Sequence, residues 1–164
     1  MTEERKGHIQ KESEPPHGIK VIALDVEGTL ISNAMSQFPR PGLKFFLEQC
    51  QQRASRVVIF TAISHRRFEA LARTLVHEGS APPWFATLEF IEWSGPHKDL
   101  RFVPGVTPQQ VVLVDDLEQY VAPGQQAQWV KAPAFEAPYS PQDRGLWQVL
   151  DAFDRLGLYN APSK

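Results

Sequence analysis

Three short runs of apolar residues set the frame of the chain: residues 19–24 (IKVIAL), 56–61 (RVVIFT) and 111–116 (VVLVDD). Each is almost unbroken and ends in polar residues, namely Asp25, Thr61, and Asp115 with Asp116. Continuous short runs of this kind predict strands buried on both faces, as in a parallel sheet. Their polar last residues then gather along one edge.

Helical patterns lie between these strands. Leu43, Phe46, Leu47 and Cys50 recur at i, i+3, i+4, i+7, with Pro41 suited to the first turn and Arg53 near the end. Ser64 is placed to cap a second helix carrying Phe68, Leu71, Ala72 and Leu75, and Gly79 to stop it. Ser140 and Pro141 open a third, with Asp143 in a loose capping box, Leu146, Trp147, Leu150 and Phe153 on one side, and Gly157 at its close. Shorter strands are expected over 87–92 and 128–130. Strands alternating with helices predict an α/β fold: a doubly wound, mostly parallel central sheet with helices on both faces, binding its ligand at the carboxyl ends of the strands.

Composition narrows the picture. A chain of 164 residues, 42% hydrophobic and 22% charged, holds one domain with a real core, here residues 18–160. The first seventeen residues, MTEERKGHIQKESEPPH, carry too little apolar surface to repay ordering and read as a disordered tail, with His8 and His17 outside any catalytic role. A net charge of −2 disfavours nucleic acid as a generic partner. The single cysteine, Cys50, rules out an internal disulfide and a cysteine-based zinc site, and its apolar neighbours predict a buried thiol in a reducing, cytoplasmic compartment. No apolar run has the length of a signal peptide or a membrane span.

The segment Asp25-Val26-Glu27-Gly28-Thr29-Leu30 follows the first strand directly and resembles the D-x-D-G-T motif of the haloacid dehalogenase superfamily. Thr61, Lys98 and Asp115-Asp116 follow in the order that superfamily requires. The resemblance implies a Rossmann-like fold and a Mg²⁺-dependent phosphomonoester hydrolase that works through an aspartyl phosphate. An aspartate at a strand end can attack phosphorus and divide hydrolysis into two steps. By this resemblance Asp25 is the nucleophile, Glu27 the acid/base, and Thr61, Ala62 and Lys98 bind the phosphoryl group. Asp25, Asp115, Asp116 and the main-chain carbonyl of Glu27 hold the metal. Clustered carboxylates repel one another unless a cation or a lysine joins them. The second acid is Glu27, where the common pattern has Asp. It is about 1.5 Å longer, and enolase-phosphatases of the same superfamily also carry Glu there.

Residues 38–47, FPRPGLKFFL, are similar to the R-P-G-x-x-x-F-L segment of the NIF/FCP-like branch, and Lys98-Asp99-Leu100 is similar to its K-D-L. Magnesium-dependent phosphatase-1-like proteins are the neighbouring branch. Neither interval after the first two motifs is long enough for a lid domain, so a minimal cap or none is expected, with an open site suited to a phosphoprotein or other bulky phosphorylated substrate. Trp84, Phe85, Trp93 and His97 are candidates for its rim, while Trp129, Phe135 and Trp147 read as core. Two alternatives remain. One is a pseudophosphatase that binds a protein partner at the cleft or on the proline-rich 132–141 surface. The other is a nucleic-acid end phosphatase, which needs Arg53, Arg56, Arg66, Arg67 and Arg73 on one positive surface.

Overall fold

The computed structural model describes residues 18–159. The expected tail, with His8 and His17, lies outside the described residues. Five parallel strands form one sheet in the order β3-β2-β1-β4-β5: β1 (Val21–Leu24), β2 (Arg56–Ile59), β3 (Glu89–Phe90), β4 (Val111–Asp115) and β5 (Trp129–Lys131). Central β1 pairs with Arg56–Ile59 on one side and with Val111–Val114 on the other. The strands expected over 87–92 and 128–130 are present as the short edge strands β3 and β5, each paired to one neighbour.

Helices α1 (Leu43–Arg53), α2 (His65–His77) and α3 (Gly145–Arg155) bury their apolar stripes in one core with Ile22, Leu24, Val57, Ile59, Val112 and Val114. Each large side chain buried there contributes about 1.5–3 kcal/mol. Alternate strand residues, Val21, Ala23, Val58, Val111 and Leu113, face the other way and meet Phe60, Ile91, Leu100 and Val103. The winding is double as expected, but short 3-10 turns such as Leu100–Phe102 cover the second face in place of α-helices.

Two helix starts differ from the sequence pattern. Pro41 precedes α1, whose N-cap is Gly42. The third helix begins at Gly145, beyond Ser140, because the Asp143 carboxylate accepts the Gly145 N–H at 3.1 Å while the Ser140 hydroxyl accepts the Gln142 N–H. Ser64 does cap α2, accepting the Arg67 N–H. No helix among the described residues is long and apolar enough to cross a membrane.

Crossovers through α1 and α2 move the chain one way from β1, and β4 and β5 lie on its other side. The strand order therefore reverses between β1 and β4, where an open α/β sheet forms its ligand crevice. Between Leu30 and α1 the chain inserts only a compact loop, and α2 leads to β3 through the 3-10 turn Pro83–Thr87. No separate lid covers the strand ends among the described residues.

Candidate active site

Asp25 follows β1 and extends its ladder, its N–H donating to the Val114 carbonyl at 2.9 Å. The chain then coils into one turn closed by the Leu30 N–H on the Val26 carbonyl at 2.9 Å. Gly28 sits in that turn at φ 73°, and a Cβ there would lie 2.6 Å from an Asp116 carboxylate oxygen. Only glycine meets both the left-handed backbone and the close approach. Asp115 ends β4 fully buried, and its Oδ1 accepts the Leu117 N–H at 2.9 Å.

Lys98 comes from a loop. Its N–H donates to the Tyr120 carbonyl at 2.8 Å, and the neighbouring Asp99 carboxylate accepts the Gln125 amide and the Arg101 N–H, both at 2.9 Å. So anchored, the buried Lys98 ammonium donates to Asp25 Oδ1 at 2.8 Å and to Asp115 Oδ2 at 2.5 Å, with the Tyr120 ring 4.6 Å away. The Thr29 hydroxyl donates to Asp25 Oδ2 at 2.8 Å and lies 3.2 Å from Asp116 Oδ1. Asp25, Asp115 and Asp116 each offer an oxygen, all within 4.8 Å of one another.

Burial, opposed by Lys98, pushes the Asp25 carboxyl up to about 6, and burial with the Asp25 charge does the same to Asp115. Asp116 is also raised, chiefly by burial. Burial alone would lower Lys98, but its ion pairs with Asp25 and Asp115 carry it above its ordinary value. When all are ionised, three carboxylates face one ammonium, so the cluster keeps an excess of negative charge. An all-oxygen donor set with that excess fits a hard divalent cation. The Glu27 side chain lies apart from this cluster: it is exposed, and its Oε2 accepts the Ala34 N–H at 2.8 Å.

A cleft of about 450 Å³ opens over Asp25 and Asp116, lined also by Glu27, Thr61, Ala62 and Tyr120 and walled by Phe135, Glu136 and Tyr139. Thr61 is buried, its hydroxyl oxygen accepting the Ile63 N–H at 3.2 Å and its carbonyl accepting the Trp93 indole N–H at 2.8 Å. A second cleft of about 390 Å³ lies beyond Thr61 and Ala62, bordered by His65, Phe90 and Trp93. Of the expected rim residues, Trp93 borders the second cleft and not the one over Asp25. Phe85 is instead fully buried against Phe68, Trp84 packs on the core, and His97 lines neither cleft. Phe135, read as core, is buried but also forms a cleft wall, because its N–H donates to the Gly28 carbonyl at 2.8 Å.

The family model of the NLI interacting factor-like phosphatases matches residues 9–161. The chain belongs to that family. It is accordingly a phosphatase, a hydrolase of phosphoric monoesters, and its substrate is phosphorylated. No curated relative matches the chain. Phosphatases of this superfamily use a divalent metal, and the three-aspartate cluster is where this NLI interacting factor-like phosphatase offers one a site.

Two further residues shape the site. Thr29 was visible only as a member of the first motif. Arg40, fully buried, donates to Asp143 Oδ2 at 2.7 Å and Oδ1 at 3.2 Å and to the Thr29 carbonyl at 3.2 Å, with its guanidinium 5.2 Å from the Phe135 ring centre. It ties the first-motif turn of this phosphatase to the start of α3 and to the cleft wall. A buried arginine needs a carboxylate, but Asp143 lies too far along the chain for spacing to pair them.

Proposed function

We propose that this phosphatase works through an aspartyl phosphate formed on Asp25, with Mg²⁺ held by Asp25, Asp115, Asp116 and the main-chain carbonyl of Glu27. The observation that carries the reading is the buried Lys98 ammonium between Asp25 and Asp115, with Asp116 completing the cluster. Stability alone gives no reason for such a group, since buried charges are commonly replaceable by apolar residues without loss. A divalent ion cancels the excess charge, and when bound it lets an anionic carboxylate approach an anionic phosphoryl group.

The residues then have defined tasks. An Asp25 oxygen attacks phosphorus, the bond to the ester oxygen breaks, and Glu27 gives its proton to the departing alkoxide. In the second half Glu27 takes a proton from water as that water attacks phosphorus. The aspartyl P–O bond breaks and Asp25 is restored. Lys98, the Thr61 hydroxyl and the Ala62 main chain hold the phosphoryl oxygens.

Asp25, Glu27, Asp116 and Glu136 line the principal cleft and, among the described residues, no exposed cation does; the nearest, Lys98, is buried beneath it against Asp25. Arg53 is paired with Asp154 and Arg56 with Glu89, which takes two members from the positive surface that a nucleic-acid end phosphatase needs. The balance favours a phosphoprotein or another bulky phosphorylated substrate, met at an open site by the domain spanning residues 18–160. Cys50 is buried and burial raises its thiol further from ionisation, in keeping with a reducing cytoplasmic setting.

Hydrolysis of an aryl phosphate, with Mg²⁺ and with a chelator, tests the reading on wild type and Asp25→Asn. Turnover that needs the metal and vanishes in Asp25→Asn is expected. Wild-type turnover that ignores the chelator, or survives in Asp25→Asn, overturns it. No turnover on any phosphomonoester would favour the protein-binding alternative.

A further inference from the structure

Glu27 is exposed, yet one of its oxygens is fixed by the main chain of a loop that no catalytic motif includes. Its Oε2 accepts the Ala34 N–H at 2.8 Å. That amide is aimed by a set of short-range bonds. Asn33 Oδ1 accepts the Met35 N–H at 2.9 Å and the Ser36 N–H at 2.8 Å, the hydrogen-bonding of an Asx turn. Its Nδ2 reaches the Tyr139 hydroxyl at 3.4 Å on the opposite cleft wall. Ser32 and Phe38 close the loop below, the Ser32 hydroxyl accepting the Phe38 N–H at 2.9 Å and the Phe38 carbonyl accepting the Ser32 N–H at 2.9 Å. Met35 at the tip is 87% exposed and adds no packing, while Ala34 rests on the core and Phe38 meets the Tyr139 ring edge-on at 5.6 Å, so the hydrogen bonds of Asn33 set the tip between two packed flanks.

We propose that Asn33 is a positioning residue for Glu27: by shaping this turn it holds the Ala34 N–H on Oε2 and leaves Oε1 as the oxygen that gives and takes the proton. The proposal rests on Glu27 being the acid/base of the reading above. In the neutral carboxylic acid the carbonyl oxygen is the better acceptor, so the amide keeps Oε2 and the proton resides on Oε1. After Oε1 has protonated the leaving alkoxide it is the free oxygen that accepts a proton from water. A carboxyl without this contact divides the proton between two oxygens and rotates, and misplacement of about 1 Å can cost about 10²-fold. The Ala34 contact is made by a Glu where the common motif has an Asp, whose side chain is about 1.5 Å shorter.

The experiment compares kcat/KM on an alkyl phosphate, phosphoserine in a short peptide, with that on an aryl phosphate, using the full chain with Mg²⁺. The alkoxide leaving group needs the acid and the phenolate needs it far less, and kcat/KM reports the first chemical step. Asn33→Ala is expected to lower the alkyl value about tenfold and the aryl value less than twofold. Asn33→Asp, which keeps both acceptor bonds, should recover the alkyl value to within about twofold. In the Glu27→Gln background Asn33→Ala should cost nothing further, because the two act through one proton. Equal losses on both substrates, a failure of Asn33→Asp to recover, or an undiminished loss in Glu27→Gln overturns the positioning role. Intact alkyl hydrolysis by Glu27→Gln removes the acid/base assignment itself, and the positioning role with it. Thermal melts of each variant show whether a loss comes from unfolding.

Discussion

Asp143→Ala removes the carboxylate that pairs with Arg40, and the geometry fixes how much that should cost. The Arg40 side chain is fully buried and that of Asp143 is 21% exposed. Hydrogen bonds to charged groups contribute about 1.5–3 kcal/mol each, and stripping one partner from a fully buried ion pair costs about 3–5 kcal/mol. Partial solvation of Asp143 reduces this, and Arg40 keeps the Thr29 carbonyl and the Phe135 ring. The expected loss is therefore about 2–3 kcal/mol, or a fall in Tm of about 6–9 °C for a chain of this size. Burial alone would raise the Asp143 carboxyl, but its bonds to Arg40 and to the Gly145 N–H outweigh that and hold it below the ordinary range. A group depressed in the folded state stabilises above its unfolded value, about 3.9 for Asp, and that stability is lost as pH falls through the lower folded value. The gap between wild type and Asp143→Ala should thus be constant near neutrality and close in acid. Urea unfolding followed by far-ultraviolet circular dichroism at several pH values measures it. A loss below about 0.5 kcal/mol at neutral pH, the range of an exposed pair, would mean that Arg40 finds water or another partner, and the pair would not be what ties the first-motif turn to α3.

Other consequences concern the centre itself. Mg²⁺ should raise the Tm of wild type, and Asp116→Asn should abolish that increase while being more stable than wild type when a chelator is present, because it removes like charge from the cluster. Differential scanning calorimetry with and without the ion reads both. Lys98→Met should lower kcat by about 10²-fold or more, as for loss of a preorganised charge at a reacting centre, and steady-state kinetics on an aryl phosphate checks it. Gly28→Ala should cost about 1–2 kcal/mol for its left-handed backbone and push the Asp116 carboxylate aside, so thermal stability and the Mg²⁺-induced shift should fall together.

The three central strands were legible because they are buried on both faces and so lack the alternation that half-exposed strands show. Asp25, Asp115 and Asp116 were legible for the same reason: an apolar run that stops at a carboxylate puts it at a strand end. Lys98 was found from motif order, and its reach to Asp25 depends on Tyr120, Asp99 and Gln125, which no local pattern connects. The Arg40–Asp143 pair and the meeting of Phe135 with Gly28 join distant segments and leave no trace in spacing. The α3 start is not legible locally, because Ser140 and Asp143 both resemble N-terminal capping residues and tertiary contact with Arg40 places Asp143 where it meets Gly145. The loop from Ser32 to Phe38 has no periodic pattern of its own; that it holds Glu27 follows only from the path of the backbone.

Covalent phosphoryl transfer to Asp25 is the central claim, and acid quenching tests it most directly. Wild type mixed with a ³²P-labelled phosphomonoester and Mg²⁺, then quenched within milliseconds, should carry label that survives acid, is released by hydroxylamine as acyl phosphates are, and maps to the peptide containing Asp25. Asp25→Asn should carry none. Rapid turnover by wild type with no label trapped, or label on another residue, would contradict the account.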